Sequence, residues 1–261
     1  MTSDPVPAPL YAVDKSMPAD GPALSVVIPM FNEEGNAATL VGEVADALRP
    51  FVAFEIVIVN DASRDGTLEV LKSLKRDYPE LRIVQHHNNA GQSRSVRTGV
   101  LAARAPVIAT LDGDGQNNPA DIPALYEKLM RNGAPDLLAM VAGERQGRKD
   151  TQAKKVASRL ANGIRKKLLN DEASDTGCGL KVFYRGVFLR LPYFDHVHRY
   201  LPALVRREGL IVEFAPVSAR ERLTGQSKYT NLQRAAVAIR DLIGVTWLIA
   251  RSRKPGEISE L

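Results

Sequence analysis

The chain has one cysteine, Cys178, in 261 residues, which excludes an intramolecular disulfide and any zinc site built from several thiolates. Aromatic residues make up 6% of it, and Trp247 is its one tryptophan. The longest uncharged apolar run, 242–250 (LIGVTWLIA), is about half of what a membrane-spanning helix needs, so no spanning helix is expected. No charged segment followed by an apolar stretch marks a secretory signal. There is no GxGxxG after the first apolar strand and no GxxxxGK[ST] anywhere, so neither a dinucleotide fold nor a P-loop ATPase is supported. With 44% hydrophobic and 25% charged residues and a mean hydropathy of −0.17, the chain is neither wholly disordered nor collagen-like nor a polytopic membrane protein.

What is present is an uneven distribution of charge. The formal net charge is +5, but residues 145–167 carry nine bases against Asp150, and residues 220–254 carry eight bases against Glu221 and Asp241. These segments hold +8 and +6, which leaves the remainder at −9. An acidic body with two basic segments implies an anionic partner at a defined place.

Residues 1–22 contain five prolines and no sustained apolar run, and are expected to be a flexible tail. From residue 23 apolar strands (24–29, 54–60, 81–85, 106–112) alternate with helical patterns (35–48, one opened by Asp65, 92–104). Strands apolar throughout and separated by helices predict an α/β fold with a parallel sheet buried on both faces. Ligands of such sheets bind beyond the carboxyl ends of the strands. Chemistry is therefore expected around Asn32-Glu33, Asn60-Asp61, 86–89 and 112–116. Further on, the pattern predicts a helix over 120–131, a strand over 137–142, a basic helix over 151–169, strands over 180–184 and 211–217, and a terminal helix from about 232 to 251.

The sharpest motif is Asp112-Gly113-Asp114-Gly115-Gln116. Alternation at a strand end would aim Asp112, Asp114 and Gln116 to one side, and the glycines would admit a close backbone or phosphate. Three hard oxygen donors suit Mg²⁺ or Mn²⁺, which keep positions open for substrate phosphates. After the second strand, Asp65 suits a helix N-cap, whereas Asp61 stands where a carboxylate can accept hydrogen bonds from a base or ribose.

Four loop motifs together resemble family 2 glycosyltransferases of GT-A fold: Pro29-Met30-Phe31-Asn32-Glu33, Asn60-Asp61-x-Ser63-x-Asp65-Gly66-Thr67, Asn89-x-Gly91 and Asp112-x-Asp114-x-Gln116. Gly143-x-Arg145, Ser158-x-x-x-Asn162, Asp175-x-Gly177-Cys178-Gly179-Leu180-Lys181 and Arg222-x-x-Gly225-x-Ser227-Lys228 narrow the likeness to the dolichyl-phosphate mannose synthase branch. The resemblance covers roughly residues 24–230. It implies a GT-A, mostly parallel sheet with a C-terminal helical extension, in three parts: tail 1–22, catalytic domain 23–229, and helix and tail 230–261. The implied activity is inverting, metal-dependent transfer of one sugar from a UDP- or GDP-sugar to a polyprenyl phosphate. Pro29, Phe31, Glu33 and Asp61 would hold the base and ribose, with Gly113 beside the donor. Asp112, Asp114 and Gln116 would hold Mg²⁺ or Mn²⁺. Arg222, Ser227 and Lys228 would close over the diphosphate, and Arg145, Lys154 or Lys155, and Ser158 would take the acceptor phosphate. Cys178 replaces a commoner Ser and Phe31 a commoner Tyr, so mannose is not selected.

The implied partners are the donor, the lipid phosphate, and a membrane surface or membrane protein at the inner face of the cytoplasmic membrane, with room for a homo-oligomer. The terminal helix has two readings, lying in an anionic interface or packing on the core. The absence of QxxRW favours single transfer over processive synthesis. Transfer to a sugar hydroxyl would need a carboxylate base, for which Asp175 is the candidate. A nucleic-acid module would interleave bases with aromatics, and residues 145–167 contain no aromatic. The histidines show no metal-ligand spacing, and His198-Arg199-Tyr200 is expected to line the sugar or acceptor pocket.

Overall fold

Runs of β-branched residues become strands that water reaches from neither face. β1 (Leu24–Met30) and β2 (Phe54–Asp61) are buried almost end to end, and with β3 (Leu81–His86) and β4 (Val107–Thr110) they form a parallel set. The computed structural model describes residues 13–17, 19–146, 163, 165, 167–169, 171–173, 175–218, 220 and 231–252. Most of the expected basic helix and the residues Lys154, Lys155, Ser158, Arg222, Ser227 and Lys228 lie outside that set.

The helices cover the sheet through apolar stripes at helical spacing. α1 (Glu34–Leu48) buries Ala37, Leu40, Val41, Val44, Ala45 and Leu48. α2 (Thr67–Leu74), α3 (Gln92–Ala102) and α4 (Ile122–Met130) follow, the last entered through a 3-10 turn at Pro119–Asp121. Asp65 does not occupy the N-cap position of α2, which is Gly66. It caps from one residue earlier, accepting from the Thr67 amide at 3.1 Å.

The sheet is completed by β5 (Leu138–Gln146), β6 (Lys181–Tyr184) and β7 (Ile211–Ser218), in the order β3-β2-β1-β4-β6-β5-β7. β6 is antiparallel to both β4 and β5, whereas β7 is parallel to β5. Within this sheet β6 alone runs backwards, so its first residue, Lys181, pairs with Thr110 at the end of β4. α5 (Arg185–Arg190), α6 (Leu201–Arg207) and α7 (Asn231–Ala250) pack around this half.

Part of the expected tail is seated rather than free. Val13 is 6% exposed against the core, and Lys15 Nζ donates to the Pro135 carbonyl at 3.2 Å.

Candidate functional site

The loops after β1 and β2 are stitched together by their own polar residues. Asn32, in a left-handed conformation (φ 56°), donates its amide to Ser63 Oγ at 2.9 Å and accepts from the Arg64 amide at 2.8 Å. The Glu33 amide donates to Thr67 Oγ1, and Asn36 Nδ2 donates to Glu33 Oε2 at 2.7 Å. Burial opposes ionisation of Asp65, but the Thr67 hydroxyl and amide and the Glu34 amide outweigh it and hold its carboxyl below the usual range. Much of the Asn60-to-Thr67 motif therefore serves loop architecture.

Asp61 is 3% exposed. Its Oδ1 accepts from Ala90 N at 2.9 Å and meets His86 Nδ1 at 2.8 Å, while Oδ2 accepts from Gly91 N at 2.8 Å. It thus fixes the loop between β3 and α3 and keeps one lone pair on Oδ2. Beside it opens a cavity of about 340 Å³ lined by Ser63, Arg64, Gln85, His87, Asn88 and Asn89, within the range of small-ligand sites. The sequence motifs assign no role to Arg64 and His87. Their signal was position alone, at carboxyl ends of parallel strands.

The carboxylate loop is a turn rather than the end of a strand, because β4 stops at Thr110. Strand alternation therefore does not aim Asp112, Asp114 and Gln116. Three bonds do so: Asp112 N to Asn117 Oδ1 at 3.1 Å, Gln116 N to Asp114 Oδ1 at 3.1 Å, and Arg220 N to the Gln116 carbonyl at 3.3 Å. The glycine at 113 is required by close approach, since a Cβ there would lie 2.6 Å from the Pro29 carbonyl oxygen. The loop thus rests on Pro29 of the β1 loop.

Burial, reinforced by the Asp114 charge, pushes the Asp112 carboxyl up to about 6, against opposing effects of Lys181, Arg145 and a 2.7 Å bond from Gln92 Nε2. A carboxylate whose proton affinity is raised by burial and by a second carboxylate beside it suits a divalent cation. Among the described residues no three His, Cys, Asp or Glu side chains cluster as a metal site, so a cation here would have as candidate donors two carboxylates and the Gln116 amide. That set fits Mg²⁺ or Mn²⁺, which take most of their ligands from water and phosphate. A small cavity of about 20 Å³, room for a single water, separates Gln92, Asp112, Lys181 and His198. His198 meets Ser93 Oγ through Nδ1 at 2.7 Å, and burial holds its pKa well below 6.5.

Arg145 at the end of β5 is bidentate to Asp175, with Nε–Oδ2 at 2.7 Å and a second bond at 2.9 Å. Hydrogen bonding to Asp175 raises its pKa, which leaves it permanently charged. Three of its five N–H donors stay uncommitted by this pair. Arg165, another base of the 145–167 segment, is buried against Asp171, so that segment is not uniformly available to an anion. Phe31 follows β1, whose Met30 pairs with Asn60 of β2, next to the Asp61 loop.

α7 packs through Val245, 1% exposed, with Leu242 and Ile249 against the core. Tyr200 Oη donates to Ala238 O, and His196 Nδ1 lies 2.9 Å from Asp241. Its other side exposes Ile239 (60%), Ile243 (66%) and Trp247 (61%). The core-packing reading of the terminal helix thus holds for one face, and the opposite face is exposed.

Residues 25–191 match the family model described as "Glycosyl transferase family 2". The chain is 34% identical over 245 residues to the dodecaprenyl-phosphate galacturonate synthase of Rhizobium johnstonii, covering 92% of this chain and 71% of that one. It is 29% identical to the undecaprenyl-phosphate 4-deoxy-4-formamido-L-arabinose transferase of Aeromonas hydrophila and 31% to that of Pseudomonas aeruginosa, spanning 62% and 61% of their lengths. Among solved structures it resembles the glucosyl-3-phosphoglycerate synthase of Mycobacterium tuberculosis in complex with Mg²⁺ and UDP, with TM-score 0.65, 14% identity, and coverage of 90% of this chain and 82% of that one. The same enzyme with Mn²⁺, UDP-glucose and glycerol 3-phosphate gives a TM-score of 0.64 at 16% identity, with coverage of 90% and 83%. The fold is thus GT-A.

Proposed function

Because the chain belongs to glycosyl transferase family 2, we propose that it moves one sugar from a UDP- or GDP-sugar to a polyprenyl phosphate, with inversion at the anomeric carbon. The observation that carries this reading is the carboxylate pair Asp112 and Asp114 at the carboxyl end of the parallel strands, with the Arg145 guanidinium interacting electrostatically with Asp112. The names of the polyprenyl-phosphate relatives support the acceptor class.

Asp61, Phe31, Pro29 and Glu33 bind the nucleoside beside the open cavity at Arg64 and His87. Asp112, Asp114 and Gln116 hold Mg²⁺ or Mn²⁺, whose chemistry when bound is to neutralise the diphosphate that leaves. Arg145, with Lys154, Lys155 and Ser158, holds the acceptor phosphate. That group is already largely dianionic near neutrality, so its oxygen needs orientation rather than a strong base. It forms the new bond to the anomeric carbon as the bond to the diphosphate breaks. Both oxygens of Asp175 accept from Arg145, which argues against Asp175 as a base for a hydroxyl acceptor. Arg220 is bonded to the Gln116 carbonyl and to Glu43, and Arg222, Ser227 and Lys228, which follow it in sequence, bind the diphosphate.

Among the described residues no helix is long and apolar enough to cross a membrane. The exposed Ile239, Ile243 and Trp247 side of α7 rests on the inner face of the cytoplasmic membrane, where the lipid acceptor lies. With 230–261 as this helix and the residues after it, the catalytic unit is 23–229, against which Val13 and Lys15 of the preceding segment are seated.

Incubation with Mn²⁺, labelled UDP- and GDP-sugars and undecaprenyl phosphate should yield an organic-extractable labelled lipid, and Asp114→Ala should abolish it. Label transferred to a sugar acceptor and never to the lipid would overturn the proposal.

A further inference from the structure

The backward strand β6 brings a second layer of residues under the carboxylate loop. A Cβ built on Gly179 would lie 2.4 Å from Asp112 Cγ and 2.4 to 2.5 Å from both of its oxygens. The Asp112 carboxylate therefore sits directly on the backbone of Gly179. Thr110 Oγ1 donates to the Gly179 carbonyl at 2.7 Å, which ties this backbone to the end of β4. Two residues on, Lys181 is 4% exposed. Its Nζ donates to the Cys178 carbonyl, and the carboxylates that act on its charge are those of Asp112 and Asp175. Lys181 and Asp112 face one small cavity with Gln92.

At its other end the same segment begins with Asp175, which grips Arg145 through two bonds, and the Cys178 amide donates to the Asp175 carbonyl at 3.3 Å. Residues 175–181 are thus a short bracket that touches Arg145 through Asp175 and Asp112 through Gly179. A buried ammonium is costly unless it has work for its charge and its donors. One carbonyl satisfies one of its three N–H groups, and Lys181 shares the small cavity with Asp112.

We infer that Lys181 is a positioning residue of the donor site: it holds the Asp112 carboxylate in place from beneath and, through the 175–181 bracket, sets its spacing from Arg145. The inference rests on the reading of Asp112 as a donor-site carboxylate. Lys181 touches no substrate; it acts through Asp112.

The test is calorimetric titration of UDP and of GDP, each with Mn²⁺, into wild type and Lys181→Met, alongside thermal unfolding. Lys181→Met should bind the preferred Mn²⁺–nucleotide pair at least tenfold more weakly while unfolding cooperatively, and Lys181→Arg should recover most of that affinity. A purely structural lysine would lower the melting temperature and leave the affinity of the folded protein unchanged. If Lys181→Met does not fold, Lys181→Gln, which keeps a donor for the Cys178 carbonyl without the charge, is held to the same criterion. A folded variant within twofold of wild type overturns the inference. Wild type with no Mn²⁺-dependent nucleotide binding overturns the donor-site reading itself, and this inference with it.

Discussion

Asp112 carries a cost that its surroundings only partly offset. Burial and the neighbouring Asp114 lift its carboxyl from 3.8 to about 6, so the folded, metal-free protein holds that proton more tightly than the unfolded chain does. The stability tied to that proton is fully present below pH about 4 and is lost as pH rises through about 6. At about 1.4 kcal/mol per pKa unit the loss is on the order of 3 kcal/mol. Asp112→Asn, which keeps the shape without the charge, should therefore be more stable than wild type above pH about 6 in a chelator. The difference should vanish near pH about 4 in denaturant titrations. Equal stability across that range would show that Lys181 and Gln92 already balance the charge. At this scale the sequence was informative about residue types and silent about partners. Asp112 and Asp114 stand out as a motif, but the bonds from Asp61 to Ala90 and Gly91, and from Asp175 to Arg145, join residues about thirty positions apart. No local pattern encodes such pairs.

Among the elements, α3 shows most directly how packing positions chemistry. It lies on β1 and β2 at Gly99, where a Cβ would fall 2.4 Å from Val27 Cγ1 and 3.2 Å from Val59 Cγ2. This close seat sets the height of the helix, and with it Gln92 on Asp112 and Ser93 on His198. Gly99→Ala gains up to about 1 kcal/mol of helix propensity but overpacks the core by about 1–3 kcal/mol. A lowering of the melting temperature by several degrees is expected, and an unchanged or raised value would show that the helix can lift freely. The first four strands and their helices were legible because strands buried on both faces appear as unbroken apolar runs. The direction of β6 was not, because a strand as short as Lys181–Tyr184 reads the same for a parallel and an antiparallel neighbour. Helix and strand ends moved by a few residues where polar loops took over, as at Thr110 and Asp65.

At the scale of the whole molecule, the exposed stripe of α7 would set the orientation toward the proposed membrane. Ile239, Ile243 and Trp247 recur every fourth residue on α7, and Arg240 on it and Arg251 just past its end are also exposed. Such a mixture suits an anionic interface. Ile243→Glu with Trp247→Glu should cut co-sedimentation with phosphatidylglycerol vesicles at least fivefold, while stability stays within about 0.5 kcal/mol per surface change. Unchanged sedimentation would assign the stripe to another role. The overall charge of +5 is thus a poor summary of a molecule whose basic residues divide between buried partners such as Asp171 and Asp175 and an outward surface. The backward course of β6 also limits how this protein can change in length. Because Lys181 is paired with Thr110 and side chains alternate along a strand, inserting one residue in β6 before Lys181 would turn the next strand position toward the opposite face. An insertion of two would restore the face but push Gly179 off the Asp112 carboxylate. Related chains should therefore vary freely in the length of their surface loops and hardly at all between Asp175 and Lys181.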